Sequence, residues 1–398
     1  MTVSGGSSPL FSFKDGFLRG KRVGVVARTY NNSGVKIMKK EGEIRIPSGC
    51  AIAGVISRSG ERINGQVIVD GISAMRERSN GLGGGFAGYG VYPEYKDFYA
   101  FHIFFDDETA KKDCEEYLKK NFDIASFSAI PVKKTKGVTD EPLIYRYFLL
   151  PKSGLLRTSD LSEKEYVAKS VTKINSEIKG AYVFGSGKNV GIFKGVGYPE
   201  DIADYYMLEN YDGYLWTAHG RYPTNTPGWW GGAHPFSFLD ISVVHNGEIS
   251  SYDANRRYTE SFGYKCNLLT DTEVITYIMD YLTRKKGLTF EEVAYVVASP
   301  FWRNIDKMTE EKKKLYEYLR YEFSSLLITG PFSVLVGFDG GVMALNDRLK
   351  LRSMVVAEKG DRTYFASEEC AIRKMEQNPD RIWSPRGGEP VVVRVGKV

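Results

Sequence analysis

Ile46-Pro47-Ser48-Gly49-Cys50-Ala51-Ile52-Ala53-Gly54-Val55-Ile56 is the stretch on which the reading of this chain turns. By itself it opens a buried strand, because a free cysteine packs as a small hydrophobe and the residues after it are uninterruptedly apolar. Cys50 is also one of only four cysteines, at positions 50, 114, 266 and 370. No CxxC and no paired spacing is present, so neither a zinc site nor a disulfide framework is expected. An isolated cysteine in a reducing setting is either packing or chemistry, and segments far downstream decide which.

The rest of the composition narrows the field. At 398 residues the chain is expected to hold one large domain with insertions, or two domains. Hydrophobic residues at 42%, charged residues at 26% and 42 glycines describe a globular protein with many turns. The net charge of +5 is spread over 54 basic and 49 acidic residues, so nucleic acid is not implied as a partner. The short run Lys133-Lys134-Thr135-Lys136 reads as a solvated loop. No stretch approaches the ~18 apolar residues that would span a bilayer, and the N-terminus has no signal-peptide pattern, so no membrane partner and a cytoplasmic location are expected.

Taken in order, residues 1–49 carry weak strand signals at Val23–Ala27 and Lys36–Lys39 and read as a small arm, or as a pro-segment if Cys50 must become the first residue. Ala51–Ser57 is expected as a strand and 65–78 as a helix. The run Gly81-Leu82-Gly83-Gly84-Gly85-Phe86-Ala87-Gly88-Tyr89-Gly90 does not read as a phosphate cradle, because it follows a helix and enters a strand; close backbone packing near Cys50 is the better reading. Residues 98–194 give strand, helix, two strands, helix, strand, the order of a ferredoxin-like inserted subdomain, with Asp160 or Ser162 capping the second helix. Tyr214–His219 and Ile241–His245 read as buried strands, and three helices follow within 272–327. The tail alternates short strands with turns, giving a layered helix-and-sheet core.

Two segments give Cys50 its partners: Arg221-Tyr222-Pro223-Thr224-Asn225-Thr226-Pro227, and His245-Asn246-Gly247-Glu248-Ile249 followed by Thr270-Asp271-Thr272-Glu273. Read locally, Asn246-Gly247 is a hairpin signal, Asp271 an N-cap and Arg221 a surface ion-pair partner. Together, in this order, they resemble the class II glutamine amidotransferases, the N-terminal-nucleophile family, and most closely the glutaminase domain of glutamate synthase. The stretches Asn346–Arg352 and Phe365-Ala366-Ser367-Glu368 belong to the same resemblance. Ala51 stands where the family usually has glycine, and Arg78-Ser79-Asn80-Gly81 where it usually has His-Arg-Gly.

The resemblance implies an α+β, four-layer αββα N-terminal-nucleophile hydrolase fold, with 50–398 as the amidotransferase domain and 1–49 as a leader removed by autocatalytic cleavage at Gly49-Cys50. It also implies roles. Cys50 would be the nucleophile, activated by its own α-amine, which titrates at about 7.7–8.0 when free. Asn246 and Gly247 would form the oxyanion hole. Arg221 would bind the α-carboxylate of the substrate glutamine and Asp271 its α-ammonium, with Thr224 a further substrate-binding residue. His245 is expected to support the turn, His219 and His234 to be structural or rim residues, and Trp229 and Trp230 to form a lid or a docking surface. No metal and no cofactor is expected on this chain. Because no acceptor domain follows Val398, the resemblance implies a glutaminase subunit serving separate synthase subunits of a split glutamate synthase, which would carry FMN and iron–sulfur clusters. An N-methylglutamate synthase-like acceptor, or an uncleaved assembly module without activity, are the alternatives.

Overall fold

The computed structural model describes residues 49–223 and 228–396, together with one antiparallel strand pair, Arg28–Tyr30 with Lys36–Met38. The chain divides into two units, Met1–Ile46 and Pro47–Val398. In the first, the strand pair is what is described. The expected strand at Val23–Ala27, and nearly all of the leader assigned to 1–49, lie outside the described residues.

The larger unit is built on two antiparallel sheets. Ala51–Ser57 is the central strand of a seven-stranded sheet, ordered Val190–Gly195, Gly84–Tyr89, Leu215–Gly220, Ala51–Ser57, Arg362–Ala366, Val355–Lys359, Arg381–Trp383. All seven residues of Ala51–Ser57 are buried, which explains a run without apolar–polar alternation: both faces of the strand are covered. One face carries the helices Gly65–Ser73, Pro199–Tyr206 and Glu369–Met375. The other meets a five-stranded sheet, ordered Phe236–Phe238, Ile241–Gly247, Phe332–Phe338, Gly341–Asn346, Val391–Arg394. The helix Asp271–Asp280 lies on the outer face of that second sheet. Helix, sheet, sheet, helix is the expected four-layer α+β arrangement. Two bonds cross between the sheets: Tyr89 Oη donates to Ser242 Oγ at 2.8 Å, and His219 Nε2 lies 2.9 Å from the His245 carbonyl oxygen.

The insert is a four-stranded antiparallel sheet in the spatial order Phe122–Ala129, Leu143–Pro151, Tyr99–Phe105, Ala181–Gly185. Numbered along the chain this is 2-3-1-4, with helices Glu108–Asn121 and Glu163–Glu177 as its crossovers, the ferredoxin-like pattern. Ser162, not Asp160, caps the second helix, accepting from the Glu165 N–H; Asp160 is left-handed, at φ 54°, and ends a short helix, Ser153–Ser159, that the sequence did not announce. The sheet of the insert closes at Gly185, and Val190–Gly195, most of which falls within the 98–194 range given to the insert, is an edge strand of the seven-stranded sheet.

The glycine run is a strand packed where side chains have no room. A Cβ on Gly85 would stand 2.4 Å from the His234 carbonyl oxygen and 2.6 Å from that of Phe193. Among the described residues no helix is long and apolar enough to cross a membrane.

Candidate active site

Strand register places the nucleophile candidate. Leu215–Gly220 pairs antiparallel with Ala51–Ser57, Gly220 opposite Ala51, so the residues leaving the one strand lie beside the residue entering the other. Tyr222 N–H accordingly donates to Cys50 Sγ at 3.3 Å, and Arg221 precedes it on the same turn. The Cys50 carbonyl accepts from Arg78 Nε at 3.0 Å, and Arg78 Nη1 is held by Glu368 at 2.7 Å. Burial pushes the Cys50 thiol up. The Tyr222 N–H and the Arg221 and Arg352 cations act the other way, Asp271 adds to the rise, and the net effect is a raised pKa.

Asn246 and Gly247 end the strand Ile241–Gly247, paired with Ser333 and Phe332, so the hairpin reading of Asn-Gly does not hold. Gly247 has φ 153°, and a Cβ there would stand 2.0 Å from the Pro331 carbonyl oxygen; only glycine fits. Asn246 is fully buried. Its Nδ2 donates to Ser367 Oγ at 3.3 Å, Ser367 Oγ also accepts from Ile52 N–H at 3.2 Å, and Asn246 Oδ1 has no partner. Rotating the amide by half a turn would satisfy it, with Ser367 O–H donating to Oδ1. Nδ2 would then face Gly49, where Oδ1 now lies 4.0 Å from the point a Cβ would occupy, beside Arg352 Nη1 at 3.5 Å and Arg78 Nη2 at 3.8 Å.

Arg221 is 4% exposed, and burial lowers its pKa while Cys50 and Asp271 raise it. Its backbone is fixed from both sides: N–H donates to Gly83 O at 2.9 Å, and the carbonyl accepts from Ser79 Oγ at 2.9 Å. Asp271 is not an N-cap. Thr270 caps the helix Asp271–Asp280, accepting from Glu273 N–H, which leaves the Asp271 carboxylate available to the site. Burial alone would raise that carboxyl. The nearby His245 ring, the Ile249 N–H at 3.3 Å and the Thr272 hydroxyl at 3.2 Å together hold it below the usual range. Cys50, Arg221, Gly247 and Asp271 line one cavity of about 240 Å³, with Tyr222, His234, His245 and Thr272 among its other walls. Thr224 lies outside the described residues.

The histidines form a buried support under this cavity. Thr272 Oγ1 donates to Asp271 and lies 2.7 Å from His234 Nε2 and 3.2 Å from His245 Nδ1, so both rings must offer it an N–H. His219 stacks on His234 with centroids 3.9 Å apart. Burial takes His219 down to about 3 and His234 well below the usual histidine value, which keeps both rings neutral. Among the described residues no group of three His, Cys, Asp or Glu side chains is placed to hold a metal. Trp230 is 6% exposed with Nε1 donating to Thr139 O at 2.8 Å, and Trp229 is 41% exposed; neither is among the residues lining the Cys50 cavity.

Sequence reading gave no role to Arg78, Ser367 or Arg352, all of which meet the site. Ser367 and Arg352 stand in stretches already singled out; Arg78 stands where the expected motif departs, and nothing local marked it as a partner of the Cys50 carbonyl.

Comparison with known proteins bears on the part of the chain that holds Arg221, Asn246, Gly247 and Asp271. The family model "Glutamine amidotransferases class-II" matches residues 97–383. A protein of Archaeoglobus fulgidus described as uncharacterized is 52% identical over 350 residues, covering 87% of this chain and 92% of that protein. An amidophosphoribosyltransferase of Methanocaldococcus jannaschii is 24% identical over 216 residues, 53% of this chain and 40% of that protein. The solved glutamine phosphoribosylpyrophosphate amidotransferase from B. subtilis aligns with 87% of this chain and 47% of its own at 13% identity, with a TM-score of 0.43. The chain thus spans less than half the length of these two named amidotransferases. With the family model matched from 97 to 383, the chain belongs to the class II glutamine amidotransferases.

Proposed function

We propose that this chain is a glutaminase subunit in which Cys50, freed by cleavage at Gly49-Cys50, hydrolyses glutamine and releases ammonia to a separate synthase subunit. The observation that carries the reading is the single cavity holding a thiol, a buried guanidinium and a partly buried carboxylate kept ionised. A free amino acid needs the last two for its carboxylate and ammonium, and the first for its side-chain amide.

In the reaction the α-amine of Cys50 takes the thiol proton, and sulfur adds to the amide carbon of glutamine. Negative charge develops on the amide oxygen, toward the Asn246 amide and the backbone at Gly247. Carbon–nitrogen cleavage returns the proton to the leaving nitrogen as ammonia and leaves a thioester. Water then hydrolyses the thioester to glutamate and regenerates the thiol. Arg221 and Asp271 hold the substrate's α-carboxylate and α-ammonium throughout, with Thr224 as a further substrate-binding residue. Removing one oxyanion donor typically costs on the order of 10²–10³ in kcat.

Glutamate synthase is the favoured acceptor system, because the segments at 221–226 and 245–249 most resemble its glutaminase domain. FMN and iron–sulfur clusters would then sit on the partner subunits, none on this chain, in the cytoplasm. The test is the Cys50→Ala variant: it should release no glutamate from glutamine, and retained activity would overturn the reading. Isolating the native complex and identifying its subunits separates glutamate synthase from another acceptor.

A further inference from the structure

We propose that a second cavity, between the ferredoxin-like insert and the turn Gly228–Gly231, binds a small organic cation: an amine carrying an apolar or aromatic body. The cavity has a volume of about 710 Å³, within the ~300–1,000 Å³ usual for small-molecule sites. Its apolar wall includes the rings of Phe104, Tyr182, Trp229 and Trp230. Its charged lining is Asp106, Asp140 and Glu177 against one cation, Lys179.

The electrostatics are net negative, three carboxylates against one ammonium. Among the described residues neither Asp106 nor Asp140 forms an ion pair with Lys or Arg. Glu177 meets Lys173 at 3.7 Å, with both side chains mostly in water, where such a pair contributes little. The helix Glu163–Glu177 ends at this cavity, and its last turn carries no basic residue to offset the partial negative charge of its carbonyls. Aromatic faces attract cations through the negative face of the ring, so the walls and the rim select for the same ligand charge.

The aromatic wall is fixed before any ligand arrives. Trp230 Nε1 is committed to Thr139 O at 2.8 Å, and its ring meets Phe104 edge-on with centroids 5.5 Å apart. Trp229 lies over Gly231, where a Cβ would stand 2.3 Å from the indole. Lys194 Nζ donates to the carbonyls of Gly231 and Ala233 at 3.0 Å each, holding the turn from below. A preformed wall lowers the ordering cost of binding.

The inference is independent of the glutaminase reading, and its test uses the full chain with Cys50→Ala, in which the Cys50 chemistry is absent. Saturation-transfer NMR with benzylamine, benzyl alcohol and benzoate at pH 7 compares three probes of one shape and different charge. Benzylamine should bind at least tenfold more tightly than the alcohol, and benzoate should give no transfer. Asp106→Asn with Asp140→Asn, both exposed positions, should weaken benzylamine about tenfold, toward the alcohol, and Trp229→Ala should weaken both. Absence of benzylamine binding, equal binding of the three probes, or benzylamine binding unchanged in the double variant would overturn the proposal.

Discussion

A carboxylate beside a partly buried thiol works against a nucleophile, because its charge raises the energy of the thiolate. Asp271 does this to Cys50, and a residue serving only that nucleophile would be better neutral. Its ionised state makes sense if the charge faces substrate ammonium. Asp271→Asn is therefore expected to raise the KM for glutamine by about 10–100-fold, the ~1.5–3 kcal/mol of a hydrogen bond to a charged group, with kcat much less affected. Steady-state glutaminase kinetics check this, and an unchanged KM would refute it. At this scale the sequence offered the residue but misread its local setting: the neighbouring Thr270 takes the cap, and only coordinates show which of two adjacent polar side chains turns back on the helix.

Between residue and molecule stands the segment Gly228–His234, whose first part borders the second cavity and whose last residue borders the first. Lys194 holds it from beneath while fully buried, and burial, aided by Arg221 and opposed by Glu273, brings its ammonium down to about 7. Glu273, also buried, is pushed up to about 7 despite the N–H groups of Leu268 and Asn267. The sign for Lys194 follows from proton counts. Between about 7 and the ordinary lysine value near 10.4 the unfolded chain holds the proton and the folded chain does not, so Lys194 makes stability rise with pH across that window. Lys194→Met should be less stable overall and should lose that rise. Urea denaturation of both proteins at pH 7 and pH 9 isolates the difference, and parallel pH dependences would contradict it. Nothing in a sequence distinguishes this lysine from a surface one; the strand Val190–Gly195, buried at every position, does.

For the whole molecule, the two sheets act as a frame in which residues far apart in the chain meet at one edge. Cys50 enters the central strand of one sheet, and Asn246 and Gly247 leave the second strand of the other. Activity is expected to scale with the fraction of molecules whose first residue is Cys50, measured by intact mass. A chain produced from Cys50 onward, with its initiator Met removed, should be fully active, and its rate should rise with pH through about 7.7–8.0 as the α-amine deprotonates. Equal activity in a preparation retaining residues 1–49 would exclude the α-amine as base.

The sequence by itself determined the family and the alternation of elements in the insert, and it put forward Cys50, Arg221, Asn246, Gly247 and Asp271 as candidates, because each rests on residue type and order along the chain. The choice of Ser162 over Asp160 as a cap, the edge strand beyond the insert, the placement of Arg78 and Arg352 beside Gly49 and of Ser367 on Asn246, the contacts of His245, Ile249 and Thr272 with Asp271 and the burial of Lys194 were decided only by tertiary structure. Those features depend on strand register and on desolvation, which arise when distant segments exclude water together, and neither quantity is written in any one stretch of the chain.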